Sequence, residues 1–178
     1  MNYARYAAIH ARHLPDKICL VERTPSLAQR RTLSWRAFNQ RINRVANYLS
    51  AHVGLKQGDY VLHLQNNSLE WLVSYYAIIK LGGIVVPLSF RFVESDILHA
   101  ASVCSPKLFV FGAEFLPLVV NCEAELATIE SYMCVGQVPE RMATPRGLRD
   151  YGEAEVHADS SEALVELGAD HGLAMMFT

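Results

Sequence analysis

The chain runs in two hydrophobic rhythms. In short stretches nearly every position is apolar, and between them apolar residues recur every three or four positions. The first rhythm marks strands buried on both faces; the second marks helices with one face against a core. Strands are predicted at KICLVER (17–23), 60–65, 84–88, 108–111 and 132–135, with a last, buried one at LAMMFT (173–178). The clearest helix follows TLS. Trp35, Phe38, Ile42, Val45, Ala46 and Leu49 fall at offsets 0, 3, 7, 10, 11 and 14 on one face, with Arg36, Gln40, Asn43, Arg44 and Asn47 off it. Ser34 is placed to cap that helix and Gly54 to end it. Further helices are predicted before the stop PDK (15–17), after Asn66, Asn67 and Ser68, over 92–104 and over 161–170. A short one is expected over 113–126, where Pro117 weakens the pattern after its first turn.

Strands alternating with helices predict an α/β fold: a mostly parallel sheet with helices on both faces. TPSLAQR (24–30) reads as a turn. Gln137 to Ser160 shows neither rhythm and carries two prolines, so it is expected to be an irregular loop or seam. The expected organisation is an α/β subdomain over 1–136, that seam over 137–160, and a short helix and final strand over 161–178.

The chain has 178 residues, 51% hydrophobic and 19% charged, which is a globular composition. Sixteen basic and 18 acidic residues give 16 − 18 = −2, which offers no electrostatic footprint for nucleic acid or a polybasic membrane patch. The longest apolar run, YYAIIKLGGIVVPL, is too short and too interrupted by Lys80, Gly82 and Gly83 to span a bilayer. Cys19, Cys104, Cys122 and Cys134 form no C-x-x-C pair, and each sits in or beside an apolar stretch. They read as reduced core thiols of a cytoplasmic protein.

Familiar catalytic signatures are missing: no G-x-G-x-x-G, no G-x-x-x-x-G-K-[ST], no G-x-S-x-G and no H-E-x-x-H. His10 and His13 suit a solvated helix end better than a metal site. His63, inside a strand, reads as a satisfied core or strand-end histidine, and Glu70 and Trp71 as an exposed first-turn acid and a packed indole. Arg91 follows the strand ending in PLSF, a position that could face a ligand, although a surface role fits it better.

Three blocks, taken together and in order, point further. RTLSWRAFNQRINRVANYL resembles the opening helix of the adenylate-forming (AMP-binding) superfamily, in its acyl-CoA synthetase branch. GLKQGDYVLHLQNNSLEWLVSYYAIIKLGGIVVPLSFR resembles the next block. It holds the Gly-Asp before a strand (Gly58, Asp59), the Asn-Ser helix cap (Asn67, Ser68) and Lys-x-Gly-x-x-x-x-Pro-Leu (Lys80, Gly82, Pro87, Leu88). DILHAASVCSPKLFVFG is similar to the following helix and strand. The resemblance runs from residue 11 to 112 and returns at ADHGLAMMFT, which looks like the strand before the family's phosphate loop.

The resemblance implies an ATP-dependent carboxylic acid–CoA ligase. A carboxylate attacks the α-phosphorus of ATP, pyrophosphate leaves, and a thiol then displaces AMP from the acyl-adenylate. ATP, Mg²⁺ and coenzyme A are the implied cofactors, and a small acid, fatty or aryl, the implied partner. Thr178 is the one residue carried over, as the start of the phosphate loop; no catalytic residue and no metal ligand is expected within these 178 residues. An N-terminal fragment without activity of its own is therefore expected, with self-association through an exposed final strand. Three alternatives stand beside it: a non-catalytic α/β scaffold, an unrelated doubly wound binding domain, and an adenylating enzyme that loads a carrier-protein thiol.

Overall fold

The computed structural model describes residues 3–157, 159–163, 165–168 and 170–177. Helix α1 (Arg5–His13) leads into a hairpin of β1 (Ile18–Thr24) and β2 (Gln29–Ser34). The predicted turn at 24–30 is this hairpin's bend: a single 3₁₀ turn, Pro25–Leu27, followed by Ala28 at φ 51°. β2 was invisible as a strand because QRRTLS lies on the surface and carries no hydrophobic rhythm.

The main sheet is wholly parallel, in the order β4-β3-β5-β6-β7. Its strands are β3 (Tyr60–Leu64), β4 (Ile84–Pro87), β5 (Leu108–Gly112), β6 (Ser131–Val135) and β7 (Leu148–Asp150). Helix α2 (Trp35–Tyr48) precedes β3, α3 (Leu69–Lys80), α4 (Glu94–Cys104) and α5 (Leu116–Cys122) run between the strands from β3 to β6, and α6 (Tyr151–Glu155) follows β7. The α/β parallel architecture predicted from the rhythms is the one observed.

Alternation along each strand feeds two cores. Val61, Val85, Leu108, Val110 and Met133 face α2, α3 and α6. Leu62, Leu64, Phe109, Phe111 and Tyr132 face α4 and α5. Both predicted serine caps form: Ser34 Oγ accepts from Ala37 N at 3.2 Å and Ser68 Oγ from Trp71 N at 3.0 Å. Pro117 lies in the first turn of α5, where its missing N–H costs nothing, so it starts that helix rather than weakening it.

Two expectations need correction. The stretch 137–160 is not wholly irregular: it contains β7, paired with β6, and α6. At three and five residues these elements are too short to show a period. Among the described residues of 161–170 there is no helix, and tertiary hydrogen bonds to α2 and α3 hold the segment instead.

Candidate functional site

In parallel α/β sheets, ligands gather beyond the carboxyl ends of the strands. At those ends the molecule offers two regions, one at each edge of the sheet.

The first is a cleft of about 960 Å³ beyond β6 and β7. Cys134 to Val138 form one wall, and Leu148 to Gly152, running from β7 into α6, form the other. Glu70 and Arg31 close it from the side. Tyr151 is 2% exposed, and its hydroxyl and Arg149 Nε have no hydrogen-bond partner among the described residues.

Beside this cleft runs a charge network that joins five elements. Arg31 on β2 donates to Glu22 on β1 at 2.6 Å and to Glu70 on α3 at 2.7 Å. Arg41 on α2 donates to Glu70 at 2.9 Å and pairs with Glu155 on α6. Glu22 also accepts from Leu69 N at 2.8 Å, so an acid 47 residues away helps cap α3. Glu70 is therefore not the exposed first-turn acid expected. Burial by itself would raise its carboxyl, but hydrogen bonds from Arg31 and Arg41 outweigh that and hold it down at about 2. Sequence order hides this cluster, since its five members span Glu22 to Glu155. Burial pushes the Cys134 thiol up to about 11, so it stays protonated and a weak nucleophile.

The second region is the β4 edge. There Ala174 forms a parallel bridge to Val85: Val85 N donates to Leu173 O at 3.1 Å and Met175 N to Val85 O at 2.9 Å. Leu173, Met175 and Phe177 are half-buried and alternate with exposed neighbours, and Met176 is 74% exposed. The final segment thus lies along an edge with one side covered, not buried on both sides as the apolar run suggested. Phe177 packs on the α4 face, its ring 5.9 Å from that of His99. Thr178 lies outside the described residues. Ala174 is separated from β6 by β4, β3 and β5, so the two regions stand roughly 19 Å apart at the usual strand spacing.

The remaining singled-out residues serve the scaffold. His10 lies against Trp35, ring centroids 4.5 Å apart. Arg91 is exposed and stacks over Phe90. His63 is fully buried, and its Nε2 meets Ser74 Oγ at 2.8 Å and Gln65 Nε2 at 3.1 Å. It is only half satisfied, because Nδ1 has no partner among the described residues. Burial lowers its pKa to about 3, so it is a neutral imidazole rather than an acid–base group near pH 7. The described residues hold no group of three or more His, Cys, Asp or Glu placed to bind a metal ion. No described helix is long and apolar enough to cross a membrane.

Comparison with known proteins agrees with this scaffold. The sequence matches the family of AMP-binding enzymes over residues 8–178, and the chain belongs to that family. It is 33% identical over 107 residues to a 3-hydroxybenzoate–CoA/4-hydroxybenzoate–CoA ligase of Thauera aromatica, covering 60% of this chain and 20% of that protein. It is 26% identical over 149 residues to the long-chain-fatty-acid–CoA ligase FadD13 of Mycobacterium tuberculosis, covering 82% of this chain and 27% of that one. Among solved structures, a fatty acyl CoA synthetase of M. tuberculosis superposes with a TM-score of 0.81 at 26% identity, over 99% of this chain and 32% of the other. Acetoacetyl-CoA synthetase from Streptomyces lividans, at 20% identity, shares the fold with a TM-score of 0.84 over 98% of this chain and 28% of its own. The chain thus spans about a quarter of the length of the relatives it matches.

Proposed function

We propose that this chain is the N-terminal scaffold of an ATP-dependent carboxylic acid–CoA ligase of the cytoplasm. The observation that carries the reading is the family match over 8–178, with relatives that are CoA ligases for hydroxybenzoate and for long-chain fatty acids. The edge segment beside β4 supports it. A half-buried run ending at Phe177 is suited to deliver a following loop to the strand carboxyl ends, where backbone amides could meet phosphate.

In this reading Thr178 opens the phosphate loop. ATP and Mg²⁺ are handled by residues beyond it, and coenzyme A is the thiol acceptor. Adenylation needs fixed positive charge and backbone donors around a polyanion. The cleft beyond β6 and β7 is lined instead by Glu70, Glu140, Asp150, Glu153 and Glu155 against Arg31 and Arg149, a surplus of negative charge that is poorly matched to ATP. The 178-residue chain alone is therefore inactive.

The test is acid-dependent ATP–pyrophosphate exchange, with a hydroxybenzoate and a long-chain fatty acid as trial substrates. The chain of residues 1–178 should give no exchange above background, whereas a polypeptide continuing past Thr178 with Ser-Gly-Thr-Thr-Gly should give acid-dependent exchange. Exchange by the 178-residue chain would overturn its assignment as a scaffold. Absence of exchange in the longer polypeptide with a broad panel of acids would favour a non-catalytic module. Among the described residues the 173–177 segment is paired on one side only, which also suits self-association of the isolated chain; light scattering would read it as a mass above 19.9 kDa.

A further inference from the structure

The segment between α6 and the β4 edge has no regular structure among its described residues, yet its backbone is heavily engaged. Asn39, Asn43 and Asn47 stand four residues apart on α2 and form one stripe. Asn47 Nδ2 donates to the carbonyls of Asp159 and Ser161, both at 3.1 Å, and Asn43 Nδ2 to that of Ser160 at 3.0 Å. Asn39 Nδ2 donates to Glu162 Oε2 at 3.1 Å. This ladder replaces the backbone partners that a helix or sheet would have supplied.

The acceptor sides of the same amides point the other way. Asn39 Oδ1 and Asn43 Oδ1 both accept from Lys80 Nζ, which also pairs with Glu162. Lys80 is the last residue of α3 and is 0% exposed. Its own carbonyl accepts from Val165 N at 3.2 Å. Two residues on, Gly82 O meets His171 Nε2 at 2.8 Å. Gly82, at φ 77°, lies so close under Leu167 that a Cβ there would come within 2.8 Å of Leu167 Cδ2. Two residues past His171 the chain reaches Leu173 and its bond to Val85.

We propose that Lys80 is a positioning residue: through Glu162 and the asparagine ladder it latches the segment from Asp159 to His171 across α2 and α3, and so sets where Leu173 to Phe177 lie along β4. The importance of that placement for a phosphate loop rests on the ligase reading above; the latch itself does not. With Glu162 neutral, the closed strap no longer sets a carboxylate against the buried Lys80 ammonium, so the strap opens more readily. The groups facing the Glu162 carboxylate are Lys80 from α3 and Asn39 and Asn43 from α2.

The test is amide hydrogen exchange by NMR on the 178-residue chain. In Lys80→Met, protection at Val85, Val165 and Met175 should fall at least tenfold, while Phe109 and Val110 in β5 keep wild-type protection. Glu162→Gln should lose protection at the same three amides by a smaller factor. Its side chain is part-exposed, so it carries the test if Lys80→Met does not fold. Wild-type protection at these amides, corrected for intrinsic exchange, should also fall as Glu162 protonates below pH 4.5 by more than it falls at Phe109 and Val110, whereas Glu162→Gln should lack that extra fall. Wild-type protection at Val85 and Met175 in the variants, an equal loss across β5, or one pH profile for both proteins would each overturn the latch. No ATP chemistry is measured, so failure of the ligase reading leaves the result intact.

Discussion

The two faces of the parallel sheet are built to different rules. On the α4–α5 face the buried side chains are aliphatic, aromatic or thiol: Leu62, Phe109, Phe111, Ile97, Cys104, Cys122 and their neighbours. The α2–α3 face has an apolar centre too, but buried polar groups are threaded through it: Asn43, His63, Gln65, Ser74 and Lys80. Distant parts of the chain arrive on this second face: the hairpin through Glu22 and Arg31, α6 through Glu155, and the strap through Glu162. The apolar face is covered mainly by helices that come straight from the crossover connections, with Met175 and Phe177 added from the final segment, and its buried contacts are almost wholly apolar. The polar face is assembled from segments whose docking needs direction, which hydrogen bonds and ion pairs supply and burial does not.

Substitutions can break or sharpen this contrast. The largest effect belongs to the apolar face. Phe109→Ala should cost about 3–5 kcal/mol, because a fully buried ring leaves a cavity, and urea denaturation should show nearly the same loss at pH 5 and pH 7. A cost that changed steeply with pH would mean that the two faces are not energetically separate.

The polar face should carry the acid sensitivity. His63 is held at about 3 in the folded state against 6.5 when unfolded, so only the unfolded chain takes up its proton just below pH 6.5. Its contribution is thus complete above pH 6.5 and is lost as pH falls toward 3, with a slope of about 1.4 kcal/mol per pH unit from this one group. Between pH 6.5 and 5, above the range of ordinary carboxylates, His63→Gln should flatten the fall seen in the wild-type protein. Equal slopes would show that His63 is protonated or hydrated in the native protein.

Next in size is Glu70→Gln, which removes charge from the carboxylate that Arg31 and Arg41 share. A loss of about 1.5–3 kcal/mol is expected, shrinking with added salt because Arg31 is part-exposed. A loss below half that, insensitive to salt, would reduce the network to surface solvation. Smallest is Ser68→Ala, at about 1 kcal/mol, since Glu22 still holds Leu69 N at the same helix end. The double variant with Glu22→Gln should lose more than the sum if the two caps support each other.

Much of this was readable in the order of residues. Wherever the partner of a side chain is near in sequence, or is simply the interior, local pattern suffices. The strands at β3 to β6, the capped faces of α2 and α3, and the family blocks around Gly58, Ser68, Lys80 and Pro87 are all of that kind. Reading failed where partners are far apart. Glu70 looked like a solvated first-turn acid because Arg31 and Arg41 reach it from two other elements. Asn43 looked like the polar side of a helix because what covers it arrives 117 residues later. The strand at 148–150 was missed because three residues hold no period, and only its register with β6 makes it a strand.

The sequence by itself therefore determined the α/β architecture, the two-faced core and the family, because periodic burial and short-range caps are local properties of the chain. Tertiary structure alone decided which polar residues leave the solvent. A buried Lys80 or a half-buried Glu70 is stable only when its counter-charges and amide partners are delivered from elsewhere in the fold, and that delivery is written in no single stretch of the chain.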